Sequence, residues 1–448
     1  MLKKLSLIVL LAVFIISCES EKKDQESGTG ADPMPFIVKN GYFYKNGKTP
    51  EKMFIAGINL GIGVPGTMAG ELAASKEDYL RWFSQMSEAG FNSLRIYTIH
   101  FPQFYEALNE FNTANKDKPL YLFHGIWLDE EGMENGDLFT ITDHFDEGIK
   151  EAVDVVHGNA EIGHRYGRAY GTYTVDISDW IAGWIIGREV SPFEVASTNF
   201  NNENIKSFEG KHFKIGNCDP AEAWFTERLD VLAEYESEKY EVKRPLSMSS
   251  WPTLDPLKHR TEGSLSFEDT NKIDLSGIDD SNYVPGYFAS YHAYPYYPNF
   301  MNTEPEYLSF SDNYGMNNYT GYLSDLKEHY KDSPLLIAEF GVPSSIGNAH
   351  FSVSGMHHGG HDETAQGNYI KRMFETIRDT GCAGGMYFAW IDEWWKRTWI
   401  TDELDFPPER RPLWHNITAP EQNFGLIAFE PESGPVFKKT GEGSSAVT

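Results

Sequence analysis

From residue 53 onward, short apolar runs alternate with longer segments of helical spacing. The runs at 53–61, 91–98, 119–128, 181–189, 245–251, 287–294, 335–340 and 383–390 are bounded by Gly, Pro or polar residues, which predicts buried strands. Helices are predicted at 76–89, 102–112, within 142–163, and at 219–239, 318–330 and 362–379. Ser75 caps the first of these, with Glu77 and Asp78 in its first turn. Asp219 and Pro220 open the helix at 219–239, and Asp362 opens the last. Eight strands with intervening helices specify the α/β class and a (β/α)8 TIM barrel. Two Asn-Gly pairs within 36–48 (FIVKNGYFYKNGK) predict an N-terminal β-hairpin that closes the bottom of the barrel. The polar stretch 262–285 reads as an insertion between strands five and six. Residues 401–430, with Phe406, Trp414, Phe424 and Phe429, read as a C-terminal cap. The barrel with its insertions is expected to occupy 36–430, and 431–448 to form a disordered tail.

The N-terminus has a different pattern. Lys3 and Lys4 precede an apolar run at 5–16, then Ser17 and Cys18. The run is too short for a spanning helix and fits a signal peptide over 1–17. Residues 19–32 are polar, bear Gly and Ser and lack any apolar period, so 18–35 is expected to be a flexible tether. Ile15-Ile16-Ser17-Cys18 resembles a bacterial lipobox. That resemblance implies lipidation of Cys18, attachment to a membrane through the lipid, and an exported lipoprotein at the outer membrane, in the periplasm or on the cell surface. The two remaining cysteines, Cys218 and Cys382, are compatible with a disulfide or with two buried thiols. There is no CxxC, which argues against a cysteine metal site.

Composition changes the picture in one respect. The formal net charge is −28, from 66 acidic and 38 basic residues, which argues against a nucleic-acid partner because phosphates demand a basic surface. The balance is compatible with a neutral ligand, and no feature specifies an oligomeric state.

Candidate chemistry lies at the strand ends. In PLLIAEFG (334–341) the run of strand seven is followed at once by Glu339, and Glu189 ends strand four. A parallel barrel places such residues at its C-terminal mouth, the end where these folds carry chemistry. Only a closed fold would unite two residues 150 positions apart. Two carboxylates suffice to break a glycosidic bond, one as acid and the other as nucleophile or base, with no metal and no cofactor.

GWIIGRE at 183–189 and LLIAEFG at 335–341 resemble the strand-four and strand-seven motifs of the retaining (β/α)8 glycoside hydrolases of the glutamate-pair clan. That clan includes cellulase, mannanase, glucanase, β-galactosidase and glucanosyltransferase barrels. The resemblance implies an O-glycosyl hydrolase acting on a β-linked oligo- or polysaccharide by double displacement, with Glu189 as acid/base and Glu339 as nucleophile. FNSLRIY (91–97) resembles the clan's strand two and implies that Arg95 orients the nucleophile at the substrate site. SYHAYPYYP (290–298) resembles strand six and implies substrate contacts by His292 and Tyr294. MYFAWIDEWW (386–395) resembles strand eight and implies Trp390 as a sugar-stacking floor. One position departs: Arg188 stands where the clan has Asn, and a guanidinium beside Glu189 would favour its ionised form. Two alternatives follow, a glucanosyltransferase-like transglycosylase and a non-catalytic carbohydrate-binding lipoprotein. His357, His358, His361, Asp362 and Glu363 (HHGGHDE) do not follow a zinc spacing, and the loop is expected to contact sugar. Asp392 and Glu393 are expected to bond sugar hydroxyls or Lys396.

Overall fold

The computed structural model describes residues 33–427 except 62, 263–269, 408–409 and 412–413. The signal peptide at 1–17, Cys18, the tether up to residue 32, Phe429 and the tail at 431–448 lie outside the described residues.

Eight parallel strands close into a barrel: Ile55–Asn59, Ser93–Ile96, Tyr121–Ile126, Ile181–Ile186, Leu246–Ser250, Ala289–His292, Leu335–Phe340 and Gly384–Tyr387. They follow one another around the ring in chain order, and the eighth pairs with the first at Gly384↔Ile55. Each strand lies inside its predicted range, and all but the seventh, which fills 335–340, end short of it, because the last residues of those runs leave the ladder to form the mouth. Helices Lys76–Glu88, Pro102–Ala114, Thr142–Val156, Pro220–Tyr240, Asn318–His329 and Glu363–Asp379 pack outside. The predicted start signals act as expected. Ser75 accepts from the Asp78 amide in a capping box, Pro220 opens its helix, and Asp362 accepts from the Ala365 amide at 2.7 Å.

Several elements escaped the sequence pattern. Helix Pro192–Asn201 follows strand four, and hairpins Ala160–Ile162/Gly171–Tyr173 and Ser207–Glu209/Lys214–Gly216 flank it. These strands are three residues long, too short to establish a period. The N-terminal hairpin (Phe36–Lys39 and Tyr42–Lys45) gains a third strand, Glu51–Met53. Phe43 places its ring 5.4 Å from Phe123 and 4.9 Å from Phe288, while Phe36 meets Tyr121 at 4.9 Å. These contacts plug the N-terminal end of the barrel, whose inner core is Ile55, Phe123, Ala182, Phe288, Leu336, Ala338, Ala383 and Met386. Residues 33–35 belong to this end rather than to a free tether: the Pro33 carbonyl accepts from Lys243 and the Pro35 carbonyl from Asn46. The insertion after strand five is anchored by buried Ile273, Leu275 and Tyr283. Cys218 and Cys382 are buried free thiols, not a disulfide.

Candidate active site

The site is built where the strands end. In strand seven Leu335 and Ile337 face the outer core while Leu336 and Ala338 face the barrel interior, the alternation of a regular strand. Alternation would turn Glu339 outward. The pairing instead slips: Tyr291↔Ile337 is followed by His292↔Glu339, and the ladder with strand eight slips between Ile337 and Phe340. This bulge returns Glu339 to the mouth and Phe340 to the outer core. Glu189 reaches the mouth by another device. Gly187, two residues before the end of its predicted run, sits at φ +84° and turns the chain out of strand four.

Arg95, 1% exposed, organises the floor. Its Nη1 donates to His292 Nε2 at 2.8 Å and to the Ala338 carbonyl at 3.3 Å, and its Nη2 donates to Ser249 Oγ at 2.8 Å. Arg95 Nη1 also lies 3.8 Å from Glu339 Oε1. A guanidinium can only donate, so His292 Nε2 accepts and the ring proton sits on Nδ1. That Nδ1–H donates to Glu189 Oε1 at 2.8 Å and lies 3.6 Å from Glu339 Oε1. His292 thus bridges the two glutamates. Carboxylate oxygens of Glu189 and Glu339 lie within 4.8 Å of one another, and the Glu189 side chain is 41% exposed.

Glu339 is held by two phenols. Tyr97 donates to Oε1 at 2.5 Å and Tyr294 to Oε2 at 2.9 Å. Burial alone would raise the Glu339 carboxyl. His292, Arg95, the Tyr97 hydrogen bond and Lys396 outweigh it, and the group is held below its ordinary value. Burial, with the charge of Glu339 next, pushes the Tyr97 and Tyr294 hydroxyls well above theirs, so both stay donors.

Tyr97 was missed by the sequence reading, although it stands two residues after Arg95, where strand periodicity places both on one face. His292 and Tyr294 share the same spacing. Asn59, also unanticipated, ends strand one. Its Nδ2 donates to the carbonyl of Ala338 at 2.9 Å, and to those of Met386 and Tyr387 at 3.2 Å each, tying strands one, seven and eight beneath Glu339.

A cavity of about 760 Å³ opens beside the carboxylates, lined among others by Trp127, Glu189, His292, Glu339, Trp395 and Lys396. Such a volume is in the usual range for small-molecule sites. Trp390 does not line it. Its side chain is 3% exposed and packs in the outer core, so the expected floor is corrected: the indoles facing the cavity are Trp127 and Trp395. Trp395 lies over Gly63, where an added Cβ would meet the indole at 2.0 Å. Arg95 is likewise below the site rather than in it, touching His292 and Glu339 and absent from the cavity wall.

Arg188 does not reach the Glu189 carboxylate. It forms a two-point pair with Glu194 (Nη2–Oε1 2.6 Å, Nη1–Oε2 3.1 Å) and donates through Nε to the Leu128 carbonyl at 3.0 Å. Its charge is spent on the cap of the helix that follows, since Glu194 Oε2 also accepts from the Ser191 amide. Glu393 pairs with Lys396 at 2.9 Å, one of the two partners expected. The HHGGHDE side chains diverge: His357 and His361 stack on each other, His358 lies 2.9 Å from Glu421, and Asp362 caps a helix.

Among the described residues, one group of three ligand-type side chains comes within reach of a single ion: Glu189, His292 and Glu339. Arg95 holds Nε2 as an acceptor, so the Nδ1 facing the carboxylates carries a proton rather than a lone pair. The arrangement suits a hydrogen-bonded acid pair and fits a metal poorly.

Neither a family model nor a curated protein matches this chain. The solved structures it is similar to include an endo-laminarinase from Formosa Hel1_33_131, with a TM-score of 0.49 at 15% identity over 84% of this chain and 83% of that one. Another is a glycoside hydrolase family 17 β-1,3-glucanosyltransferase from Rhizomucor miehei, with a TM-score of 0.44 at 13% identity over 83% and 92%. A third is the Bacteroides uniformis β-glucuronidase, with a TM-score of 0.44 at 15% identity over 79% of this chain and 32% of that one. These neighbours are glycoside hydrolases. The present chain spans about a third of the β-glucuronidase, and at these identities the likeness is one of fold.

Proposed function

We propose that the protein is a retaining β-glycoside hydrolase in which Glu339 is the nucleophile and Glu189 the acid/base. The observation that carries this is the spacing: carboxylate oxygens within 4.8 Å across one cavity. Retaining enzymes hold their carboxyls about 5–5.5 Å apart, whereas inverting enzymes need about 6.5–9.5 Å to admit a water. The environments support the division of roles. Glu339 is buried and accepts from two phenols that hold it ionised, as a nucleophile requires. Glu189 is open to solvent, from which it takes up the proton that an acid must deliver.

In the first step Glu339 attacks the anomeric carbon while the bond to the leaving oxygen breaks, and Glu189 transfers its proton to that oxygen. A glycosyl ester on Glu339 results. In the second step Glu189 removes a proton from water, the water oxygen bonds to the anomeric carbon, and the ester opens to restore Glu339. The His292 Nδ1–H donates to Glu189 Oε1 at 2.8 Å and orients that carboxyl for both proton transfers. The Arg188–Glu194 pair supports a working site, because the cation is neutralised away from Glu189.

The sugar chain is proposed to be β-linked, and the enzyme to be an exported lipoprotein held by Cys18; both rest on the motifs at 183–189, 335–341 and 15–18. Glu339→Gln is expected to abolish turnover while leaving the circular-dichroism melt unchanged. Glu189→Ala is expected to keep the first step on aryl glycosides with good leaving groups and to be rescued by azide as the β-glycosyl azide. Near-wild-type hydrolysis by Glu339→Gln, or first-formed product of α configuration, overturns the assignment.

A further inference from the structure

The cavity takes up one flank of the carboxylates, walled by loops after strands one to four and after strand eight. The opposite flank, above strands five to seven, carries a run of aromatic rings that no step of the mechanism uses. Trp251 follows strand five, and its Nε1 donates to the Val190 carbonyl at 2.9 Å, next to Glu189. The Trp251 and Tyr297 rings lie 6.2 Å apart and 21° from parallel. Tyr297 is 5.2 Å from His350, and His350 is 6.5 Å from Trp399. Four mouth loops, one after each of strands five to eight, thus contribute one ring each to a continuous path that begins beside the acid/base. Trp251, Tyr297 and His350 are partly exposed, and Trp399 is 70% exposed at the outer end.

The path is braced from beneath. His358 stacks on His350 at 5.4 Å and on Tyr296 at 4.8 Å, both within 5° of parallel, and His358 is held by Glu421 at 2.9 Å. Rings held in place on a surface offer contact area without the ordering cost of flexible side chains. Their faces suit the C–H faces of pyranose rings. The four rings themselves carry no ammonium, guanidinium or carboxylate, so contact with them selects by shape rather than by charge.

We propose that the ledge Trp251–Tyr297–His350–Trp399 binds the uncharged β-linked chain beyond the cleaved bond, so that the enzyme cuts within polysaccharides rather than at their ends. The inference rests on the glycosidase reading for its direction of cleavage. The ledge itself is tested by binding alone. The probes are soluble β-1,3-glucan, β-1,4-glucan and β-1,4-mannan cast in native gels, run with the full chain and with Trp399→Ala and Trp399→Tyr. Trp399 is exposed, so its replacement leaves the fold intact.

At least one glycan is expected to retard the wild type and Trp399→Tyr, with Trp399→Ala retarded about tenfold less. On that glycan, kcat/KM of Trp399→Ala is expected to fall by a similar factor, mainly through KM. Cleavage of an aryl β-monoglycoside, too short to reach the ledge, is expected to be unchanged, and early products from the polymer to be oligosaccharides of mixed length. Retardation by none of the glycans, equal retardation of all three proteins, or monosaccharide as the sole early product overturns the proposal. If glycan binding depends on Trp399 but no substrate is cleaved, the ledge stands and the glycosidase reading falls.

Discussion

Glu339 has a donor on each oxygen, and the two donors come from different strands. Tyr97 supplies the shorter bond and is one of the groups that hold the carboxyl below its ordinary value, against burial, which would raise it. Removing that donor raises the carboxyl, so a less acid pH suffices to protonate it. In Tyr97→Phe the acidic limb of the kcat/KM profile is expected to move to higher pH, with activity at the optimum reduced about tenfold. An unmoved limb would mean that the phenol serves packing alone. At this scale the sequence was informative for groups at strand ends and poor for rings. Glu189, Arg95, His292 and Tyr294 all enter one bonded network. Trp390 does not, because the chain beyond strand eight turns it into the outer core. Which ring of MYFAWIDEWW faces the cavity depends on the path of a loop, and no residue pattern encodes that path.

At the scale of elements, the C-terminal cap meets the barrel through Asp392, just past strand eight. Its Oδ1 accepts from the Gly425 amide at 2.8 Å, and His415 Nε2 lies 3.8 Å from Oδ2. Burial, with smaller contributions from Glu363 and Glu393 and against the pull of the Gly425 amide, pushes the carboxyl up to about 7. The sign follows from linkage. The folded state binds this proton more tightly than the unfolded state, so the contribution to stability is complete below the ordinary carboxylate range and is lost as pH rises to about 7. Asp392→Asn keeps the acceptor and removes the ionisation. Its Tm is expected to gain on the wild type between pH 5 and pH 8 by about 2–4 °C, measured by calorimetry. A constant difference across that range would show that Asp392 does not titrate there. Helix starts were legible in Ser75, Asp219 and Asp362 because a cap is a local event. The hairpins after helix Thr142–Val156 and helix Pro192–Asn201 were not, since their three-residue strands are defined by pairing with one another.

For the whole molecule, the barrel was legible because eight apolar runs of the right length at the right spacing admit few other architectures. What the pattern did not carry is the register that closes it. The pairing of Gly384 with Ile55 joins residues from opposite ends of the ring and brings the strand-four and strand-seven glutamates to one cavity. The proposed signal and the lipobox-like motif lie outside the described residues, and their test is independent of catalysis. Cys18→Ala is expected to move the protein from the membrane fraction to the soluble fraction with kcat/KM unchanged. Retention in the membrane fraction would remove the lipid anchor from the proposal.

The slip in strand seven belongs to the backbone, not to the side chain it presents. Exchange of Glu339 for an inert residue is expected to leave the pairing of strand seven with its neighbours, and the break in alternation, where they are. A descendant of this chain that had lost its chemistry would still carry the kink. Read from a bare main-chain trace, that irregularity would mark the spot where the buried carboxylate once stood.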